Sequence, residues 1–193
     1  AFGYALGAAI LLIGKNLFDL VFKYIKQRKA NKIFKKDINI SSIINEELST
    51  IRDVYGFNRV SLIDYHNGTE SFKGLSFKNA SMRNEVVDNK TKNIITDFQN
   101  IPCSIIAEML VELEDSKEGY IIATDEGDSA TAITHKMYGV RIEYNFKIGK
   151  DLTEGVVSMV FTDTINRLTK EQIIEIKAHI QKIRLLRTNK VNF

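Results

Sequence analysis

The residues with the strongest potential for chemistry are the adjacent His66 and Asn67. An imidazole and a carboxamide at the end of a predicted strand can bind a ligand through hydrogen bonds. The pair Asn67-Gly68 is also a strong signal for a turn, and in that interpretation His66 only orders the loop that follows. The sequence leaves both interpretations open.

Other candidate groups lack the spacing that catalysis or metal binding requires. His135 and His179 are far apart and match no His-x-x-x-His zinc pattern. The acidic run 125–129 lacks the spacing of an EF-hand, so a turn and a helix cap explain it. Cys103 and Ser104 have no neighbouring His motif, and the chain contains neither GxGxxG nor a P-loop. We therefore expect no catalytic residue, no metal site and no cofactor.

Composition favours one domain with a tail. The chain has 193 residues, a net charge of +3 and 44% hydrophobic residues, which is enough for one core. Its excess positive charge lies at the two ends, and it carries no zinc-finger, RNP-like or helix-turn-helix signature, so we expect no specific nucleic-acid binding. The single cysteine excludes an internal disulfide bond.

Helical periodicity marks both ends of the predicted domain. Ile38–Tyr55 carries an apolar stripe, with Ser41 or Ser42 as its N-cap and Gly56 at its end. At the other end, residues 169–172 form a capping box before the last helix, which carries a second isoleucine stripe.

Short strands and helices are predicted between these two helices. Residues 70–100 have no clear period and fit a long loop best, although the order of elements leaves a strand or a loop open after the Asn67-Gly68 turn. Helices are predicted after Pro102 and after Asp128 or Ser129. Mostly antiparallel strands with helices grouped on one face make an α+β fold. The predicted strands are Arg59–Tyr65, Tyr120–Thr124, Val140–Ile148 and Glu154–Thr162.

The N-terminal segment has a different character. Ala1–Ile13 contains no charged residue, and apolar residues continue among lysines to Ile25. Because a bilayer span needs about 20 apolar residues, three interpretations stay open: a spanning helix, an interfacial amphipathic helix, or a helix that packs on a protein partner. We favour insertion into a membrane. The predicted membrane-anchor residues are Ala5, Leu11, Leu12, Ile13, Leu17, Phe18, Val21 and Phe22.

Basic residues directly follow the apolar run. The positive-inside tendency would keep this side, and hence the domain, in the cytoplasm. We expect three parts: an anchor or amphipathic helix at 1–30, a basic linker at 31–37, and a globular domain at 38–193. The residues predicted to contact anionic lipid head groups are Lys23, Lys26, Arg28 and Lys29.

Two segments resemble GAF-type domains, which are relatives of PAS domains. Residues 59–68 (RVSLIDYHNG), followed by 74–77 and 85–87, resemble a string found in small membrane-anchored proteins of tailed phages. Residues 155–161 leading into 168–172 are similar to the final strand and helix of GAF domains. A weaker likeness is to the T-even phage holin, which also has one N-terminal membrane helix before a globular domain.

The resemblance implies a GAF/PAS-like, mostly antiparallel sheet with flanking helices over about residues 38–187. It also implies a ligand pocket between the sheet and the 70–100 loop, and a homo-oligomer that pairs through the first and last domain helices. The residues that it places at the pocket are Tyr65, His66, Asn67, Phe72, Phe77, Met82 and Glu85.

Two functions follow from these expectations. The first is a non-enzymatic, membrane-associated phage-type interaction or assembly protein, either a holin-like factor or a virion component, with membrane lipids and a phage or envelope protein as partners. The alternative is a bacterial membrane-anchored sensor module that binds a small ligand in a GAF-like pocket.

Overall fold

The computed structural model describes residues 2–67, 78–150 and 152–188, with side chains from residue 18 onward. The chain divides into two compact units, Ala1–Ser41 and Ser42–Phe193. Helix α1 spans Phe2–Tyr55 and contributes residues to both units.

Helix α1 is continuous where we predicted a basic linker at 31–37 and a new helix capped by Ser41 or Ser42. The linker prediction is corrected because no glycine or proline occurs between Gly14 and Gly56 to stop the helix. Gly56 does end the helix: its φ of 74° is left-handed, and its N–H donates to the Arg52 carbonyl at 2.9 Å.

The predicted anchor falls in the first unit. In the part of the chain that the structure describes, no helix is apolar over enough length to cross a bilayer. Phe18, Val21 and Phe22 are exposed. The side chains of the other predicted anchor residues lie outside the described set: Ala5, Leu11, Leu12, Ile13 and Leu17.

A six-stranded antiparallel sheet forms the centre of the second unit, within the described residues. Its strand order is β3-β2-β1-β6-β5-β4, so the first strand of the chain lies beside the last. The strands are β1 (Arg59–His66), β2 (Asn79–Val87), β3 (Ile101–Pro102), β4 (Tyr120–Thr124), β5 (Ile142–Lys147) and β6 (Val156–Phe161). The remaining helices are α2 (Ala107–Asp115), preceded by a 3₁₀ turn at Cys103–Ile106, α3 (Ala130–Tyr138) and α4 (Lys170–Thr188).

The predicted α+β class, an antiparallel sheet with flanking helices, is confirmed. The loop predicted at 70–100 is wrong in part, because β2 lies inside it and pairs with β1 over its whole length. Polar residues such as Ser81 and Asn84 conceal this strand in the sequence, since they break the alternation that signals a strand. The strands β1 and β2 are joined through residues 67–78, of which 68–77 lie outside the described residues.

One face of the sheet is apolar and lies against α4. Val60 and Leu62 of β1 point to this face, together with Tyr144 of β5. The Tyr144 hydroxyl accepts a hydrogen bond from the Leu168 N–H at 3.0 Å, and Asp64 accepts one from Arg187 at 2.6 Å. The isoleucine stripe of α4 and the matching stripe of α1 are buried within this unit: Ile44, Leu48, Ile51, Ile176, Ile180 and Ile183. Because both stripes are already buried within this unit, subunits that pair through these helices would have to use the outer surfaces of the helices. Such pairing stays a prediction.

Candidate functional site

The opposite face of the sheet carries polar side chains in its centre. Because side chains alternate along a strand, the neighbours of Val60 and Leu62 point the other way. Ser61 of β1 lies opposite Glu85 of β2 on one side and opposite Ser158 of β6 on the other. Ser158 in turn lies opposite Asn145 of β5. Four adjacent strands therefore place a polar row across one face of the sheet.

A cavity of about 90 Å³ lies over this polar row. The sheet lines it with Arg59, Ser61, Glu143, Asn145 and Ser158. Its cover comes from the segment after β2, from the 3₁₀ turn and α2, and from α3. The apolar residues of the cover are Ile94, Phe98, Ile101, Ile106 and Met109. The cavity thus has the polar row on the sheet, among apolar neighbours, and an apolar cluster in its cover.

Arg59 and Glu85 form a buried ion pair at one end of the cavity. Arg59 Nε lies 2.8 Å from Glu85 Oε1, and the two side chains are only 4% and 0% exposed. The guanidinium also donates to the Lys92 carbonyl at 2.8 Å. Burial lowers the pKa of Arg59, and the charge and hydrogen bond of Glu85 oppose that shift. The buried guanidinium therefore has a carboxylate as its partner beside the cavity.

Glu85 also holds the cover in place. Its carboxylate accepts hydrogen bonds from the Ile94 N–H at 3.0 Å and the Ile95 N–H at 2.8 Å. The cover begins at Asp88, whose pKa falls to about 2 because Asn58 and Thr91 donate hydrogen bonds to its carboxylate. A charged residue of the sheet and a turn at Asp88 therefore fix the segment that closes the cavity.

His135 and Glu143 form a second buried pair. His135 lies on α3, which begins at the N-cap Ser129 and ends at Gly139 with φ 66°. Its Nδ1 lies 3.0 Å from the Thr124 carbonyl, and its Nε2 lies 2.9 Å from Glu143 Oε2. A carbonyl and a carboxylate can only accept, so a doubly protonated ring satisfies both.

The pKa values of the pair shift in opposite directions. Burial alone would lower the pKa of His135, but the hydrogen bond and charge of Glu143 raise it above 6.5. Burial alone would raise the pKa of Glu143, but His135, Ser158 and Asn145 lower it below 4.5. Ser158 donates its hydroxyl to the Glu143 carboxylate. Each residue therefore favours the charged form of the other.

We expect the pair to make stability depend on pH. The contribution of His135 is complete below the ordinary pKa of 6.5 and is lost as the pH rises through its higher folded value. The contribution of Glu143 is complete above 4.5 and is lost as the pH falls through its lower folded value. The pair thus stabilises most between these two values. In an NMR titration, Glu143→Gln should lower the pKa of His135 relative to the wild type.

The matched control is Glu126→Gln. Glu126 is exposed on the loop before α3, and no described hydrogen bond joins it to the His135 ring. An unchanged His135 pKa in Glu143→Gln would contradict the pairing.

Two polar side chains at the cavity each carry an atom that lacks a hydrogen-bond partner among the described residues. Ser61 Oγ has none, and the Asn145 amide oxygen has none. The N–H side of the amide faces Glu143, and its hydrogen bond helps to lower the pKa of that carboxyl. Ser61 and Asn145 are each only 1% exposed. Buried polar atoms are nearly always paired, so these atoms mark a place where a further partner fits.

The structure separates the residues that the sequence predicted at the pocket. Met82 lines the cavity, and Glu85 adjoins it through Arg59. Tyr65 and His66 line a different, more open cleft of about 350 Å³. Asn67 accepts a hydrogen bond from the Lys78 N–H at 2.9 Å, and the predicted turn at Asn67-Gly68 extends into residues outside the described ones. The last two predicted residues, Phe72 and Phe77, lie outside the described residues.

Sequence reasoning missed most of the polar side of the cavity. A signal was present: Arg59 and Ser61 are two residues apart in one buried strand, and Glu143 and Asn145 are two residues apart in another. Polar residues that alternate with buried apolar ones point to one face of a sheet. Polar side chains on a buried face require hydrogen-bond partners. Such a face is typical of a binding site.

No family model and no curated protein sequence matches the chain. Solved structures do match its fold. The GAF domain of Thermosynechococcus elongatus PixJ aligns with a TM-score of 0.59 at 12% identity, over 78% of this chain and 86% of that one. A phycocyanobilin-bound GAF domain from a cyanobacterial phytochrome aligns with a TM-score of 0.61 at 13% identity, over 82% and 89%. A phycoerythrobilin-bound GAF domain gives 0.61 at 12% identity, over 83% and 91%.

These likenesses show a GAF-like fold, and the sequence prediction of that fold is confirmed. The resemblance to tailed-phage proteins and to the T-even holin has no support among these structures. In residues 2–67, 78–150 and 152–188, no group of three His, Cys, Asp or Glu side chains is placed to hold a metal ion.

Proposed function

We propose that this chain is a regulatory module that binds a small molecule in the cavity over the polar face of its sheet. The observation that carries the proposal is a pair of buried polar atoms without partners among the described residues, the Ser61 hydroxyl and the Asn145 amide oxygen, at a cavity with apolar residues in its cover. The GAF domains with a similar fold include ones solved with a bound phycocyanobilin or phycoerythrobilin, which supports a ligand-binding role. This favours the sensor alternative over the phage reading.

The size of the cavity argues for a ligand smaller than these pigments. Drug-sized ligands occupy about 300–1,000 Å³, whereas this cavity measures about 90 Å³. A compact metabolite fits that volume, and a linear tetrapyrrole does not. The proposed ligand is therefore not a bilin.

The chemistry of the cavity supports binding without catalysis. A general base must be free to accept a proton from substrate, but Glu143 is engaged by His135 and Ser158, and Glu85 by Arg59. The nearby Cys103 has its pKa raised by burial, so it is a thiol and not a nucleophilic thiolate at neutral pH. We propose that these groups shape the site.

A substitution on the cover tests the proposal. Thr134 on α3 lines the cavity, so Thr134→Phe should fill it and abolish ligand binding. Ile133→Phe is the matched control, because Ile133 lies beside it on the same helix and is 50% exposed. Native mass spectrometry and a thermal-shift screen of a metabolite library would show ligands that bind the wild type and Ile133→Phe but not Thr134→Phe. If no compound binds the wild type, or if Thr134→Phe binds equally well, the proposal fails.

We also propose that the N-terminal part of α1 tethers the module to an anionic membrane surface. Phe18, Phe22 and Tyr24 are each more than half exposed, and they alternate with Lys23 and Lys26. Aromatic and basic side chains together are typical of helices that lie at a lipid surface. This proposal is independent of the ligand.

Vesicle sedimentation tests the tether. The full chain should sediment with vesicles that contain phosphatidylserine, and a variant with Phe18→Ser and Phe22→Ser should bind at least tenfold more weakly, because it loses the exposed aromatic area. A variant with Ile174→Ser, which removes an exposed apolar residue of α4, serves as the control. Equal sedimentation of both variants would contradict a lipid contact at Phe18 and Phe22.

A further inference from the structure

The unpartnered polar atoms at the cavity indicate what kind of ligand group they would meet. Ser61 Oγ and the Asn145 amide oxygen are buried at the cavity without hydrogen-bond partners among the described residues, whereas the amide N–H faces Glu143. A hydroxyl can donate and accept, and an amide oxygen accepts. Leaving such groups unpaired is unfavourable, so a ligand that pairs with them regains that free energy. The complementary group must offer a donor and an acceptor.

The spacing of these side chains limits the size of that group. Ser61 and Asn145 lie on β1 and β5, and each is opposite Ser158 on the strand between them. Two strand spacings put their backbones about 10 Å apart. The two side chains stand on the same face, roughly perpendicular to the sheet, so their polar atoms are separated by about the same distance. Two hydrogen bonds of about 2.9 Å take up more than half of it. The remaining space, above Ser158, fits one small polar group such as an amide.

The charges around the cavity indicate that the ligand is neutral. Arg59 is balanced by Glu85, and Glu143 is balanced by His135. A charged ligand would bring a buried charge without a counter-ion, which is strongly unfavourable. An amide edge meets both requirements, because it carries a donor and an acceptor without net charge.

The cover of the cavity would contact the rest of the ligand. Ile94, Phe98, Ile106 and Met109 present apolar surface opposite the polar row. Methionine adapts its shape to irregular apolar groups. The ligand body is therefore apolar and compact.

We infer that the ligand is a small neutral molecule with one amide-type edge, such as a primary carboxamide, a lactam or a uracil-type ring, bound by Ser61 and Asn145 on β1 and β5, with its apolar part against the cover. The inference rests on the proposed function and narrows its ligand to a chemical class.

Three probes of the same shape test the ligand class: isobutyramide, isobutyrate and isobutylamine. Each is titrated into ¹⁵N-labelled full-length protein and followed by NMR chemical shifts. Isobutyramide should shift the resonances of β1, β5 and the cover, and the two charged probes should bind at least tenfold more weakly. Equal or tighter binding of either charged probe would overturn the inference and leave the proposed function in place.

Two substitutions test the assigned residues. Ser61→Ala and Asn145→Leu should each weaken isobutyramide binding at least tenfold. The matched controls are Ser42→Ala and Asn166→Leu, because Ser42 and Asn166 are exposed and do not line the cavity. Unchanged amide binding in both cavity variants would overturn the inference.

Thermal unfolding without probe supplies a second readout. Removing an unpaired buried hydroxyl should leave the melting temperature of Ser61→Ala unchanged or raise it, whereas Asn145→Leu also loses its contact with Glu143. A fall in the melting temperature of Ser61→Ala, with amide binding unaffected, would assign this hydroxyl to a structural water and overturn the inference. Failure of every probe and every library compound to bind would instead reject the proposed function.

Discussion

Glu85→Gln will lower the free energy of unfolding by about 3–5 kcal/mol, the cost of leaving one member of a buried ion pair without its partner. The Glu85 side chain is 0% exposed, and it is the carboxylate that faces the buried Arg59. It also accepts hydrogen bonds from the N–H groups of Ile94 and Ile95, so the substitution removes charge from two sets of contacts. Urea denaturation followed by circular dichroism measures the change.

The control for this variant is an exposed ion pair in the same segment. Lys92 and Asp97 lie 3.7 Å apart, and their side chains are 81% and 40% exposed. Asp97→Asn should change stability by less than about 1 kcal/mol, because surface pairs contribute little. If Glu85→Gln is no more destabilising than Asp97→Asn, the buried pair does not exist as described.

A double variant distinguishes the attraction between Arg59 and Glu85 from the cost of burying their charges. Replacing a buried ion pair by apolar residues of similar size is often neutral or stabilising. Arg59→Met with Glu85→Leu should therefore be less destabilised than the sum of the two single changes. Because Arg59 also donates to the Lys92 carbonyl, some loss remains in every variant that lacks it. Additive single effects would show that the two residues do not interact.

Ile176→Ala will destabilise the protein by about 2–5 kcal/mol, as deletion of a fully buried aliphatic side chain usually does. Ile176 is 0% exposed at the centre of the α4 stripe. Its removal leaves a cavity between α4 and the apolar face of the sheet, because neighbours relax only in part. The midpoint of urea unfolding should fall with little change in its slope.

Ile174→Ala is the matched control on the same helix. Ile174 is 67% exposed, so the change should remain within about 0.5 kcal/mol. Comparable losses in the two variants would mean that α4 does not pack on the sheet through the Ile176 face. The comparison uses one residue type and one helix, so helix propensity cancels.

Local signals predicted several elements correctly because their causes are local. Strand β4 was predicted with the bounds that the structure has, Tyr120–Thr124. The N-cap Ser129 and the left-handed Gly139 delimit α3 as expected. The capping box of α4 is present as well, since the Gln172 N–H donates to the Thr169 hydroxyl at 3.3 Å and the Thr169 N–H donates to Gln172 at 2.9 Å.

The misses have a different cause. Strand β2 was predicted as loop because its pattern is polar, and it is a strand because β1 supplies hydrogen bonds along its whole length. The linker at 31–37 was predicted from charge, but charge does not stop a helix when glycine and proline are absent. The strand was therefore decided by pairing with a distant segment, and the helix by the absence of residues that stop one.

The sequence by itself determined the α+β class, the ends of the helices at Gly56 and Gly139, and the strands with regular apolar alternation, because these depend on residues close in the chain. Only the tertiary structure decided where the site lies. Ser61 and Ser158 are 97 positions apart by their numbers and become neighbours because β6 pairs antiparallel with β1. Asn145 joins them through the register of β5. Strand order and register bring these polar groups to one buried face, and neither is encoded in any short segment of the chain.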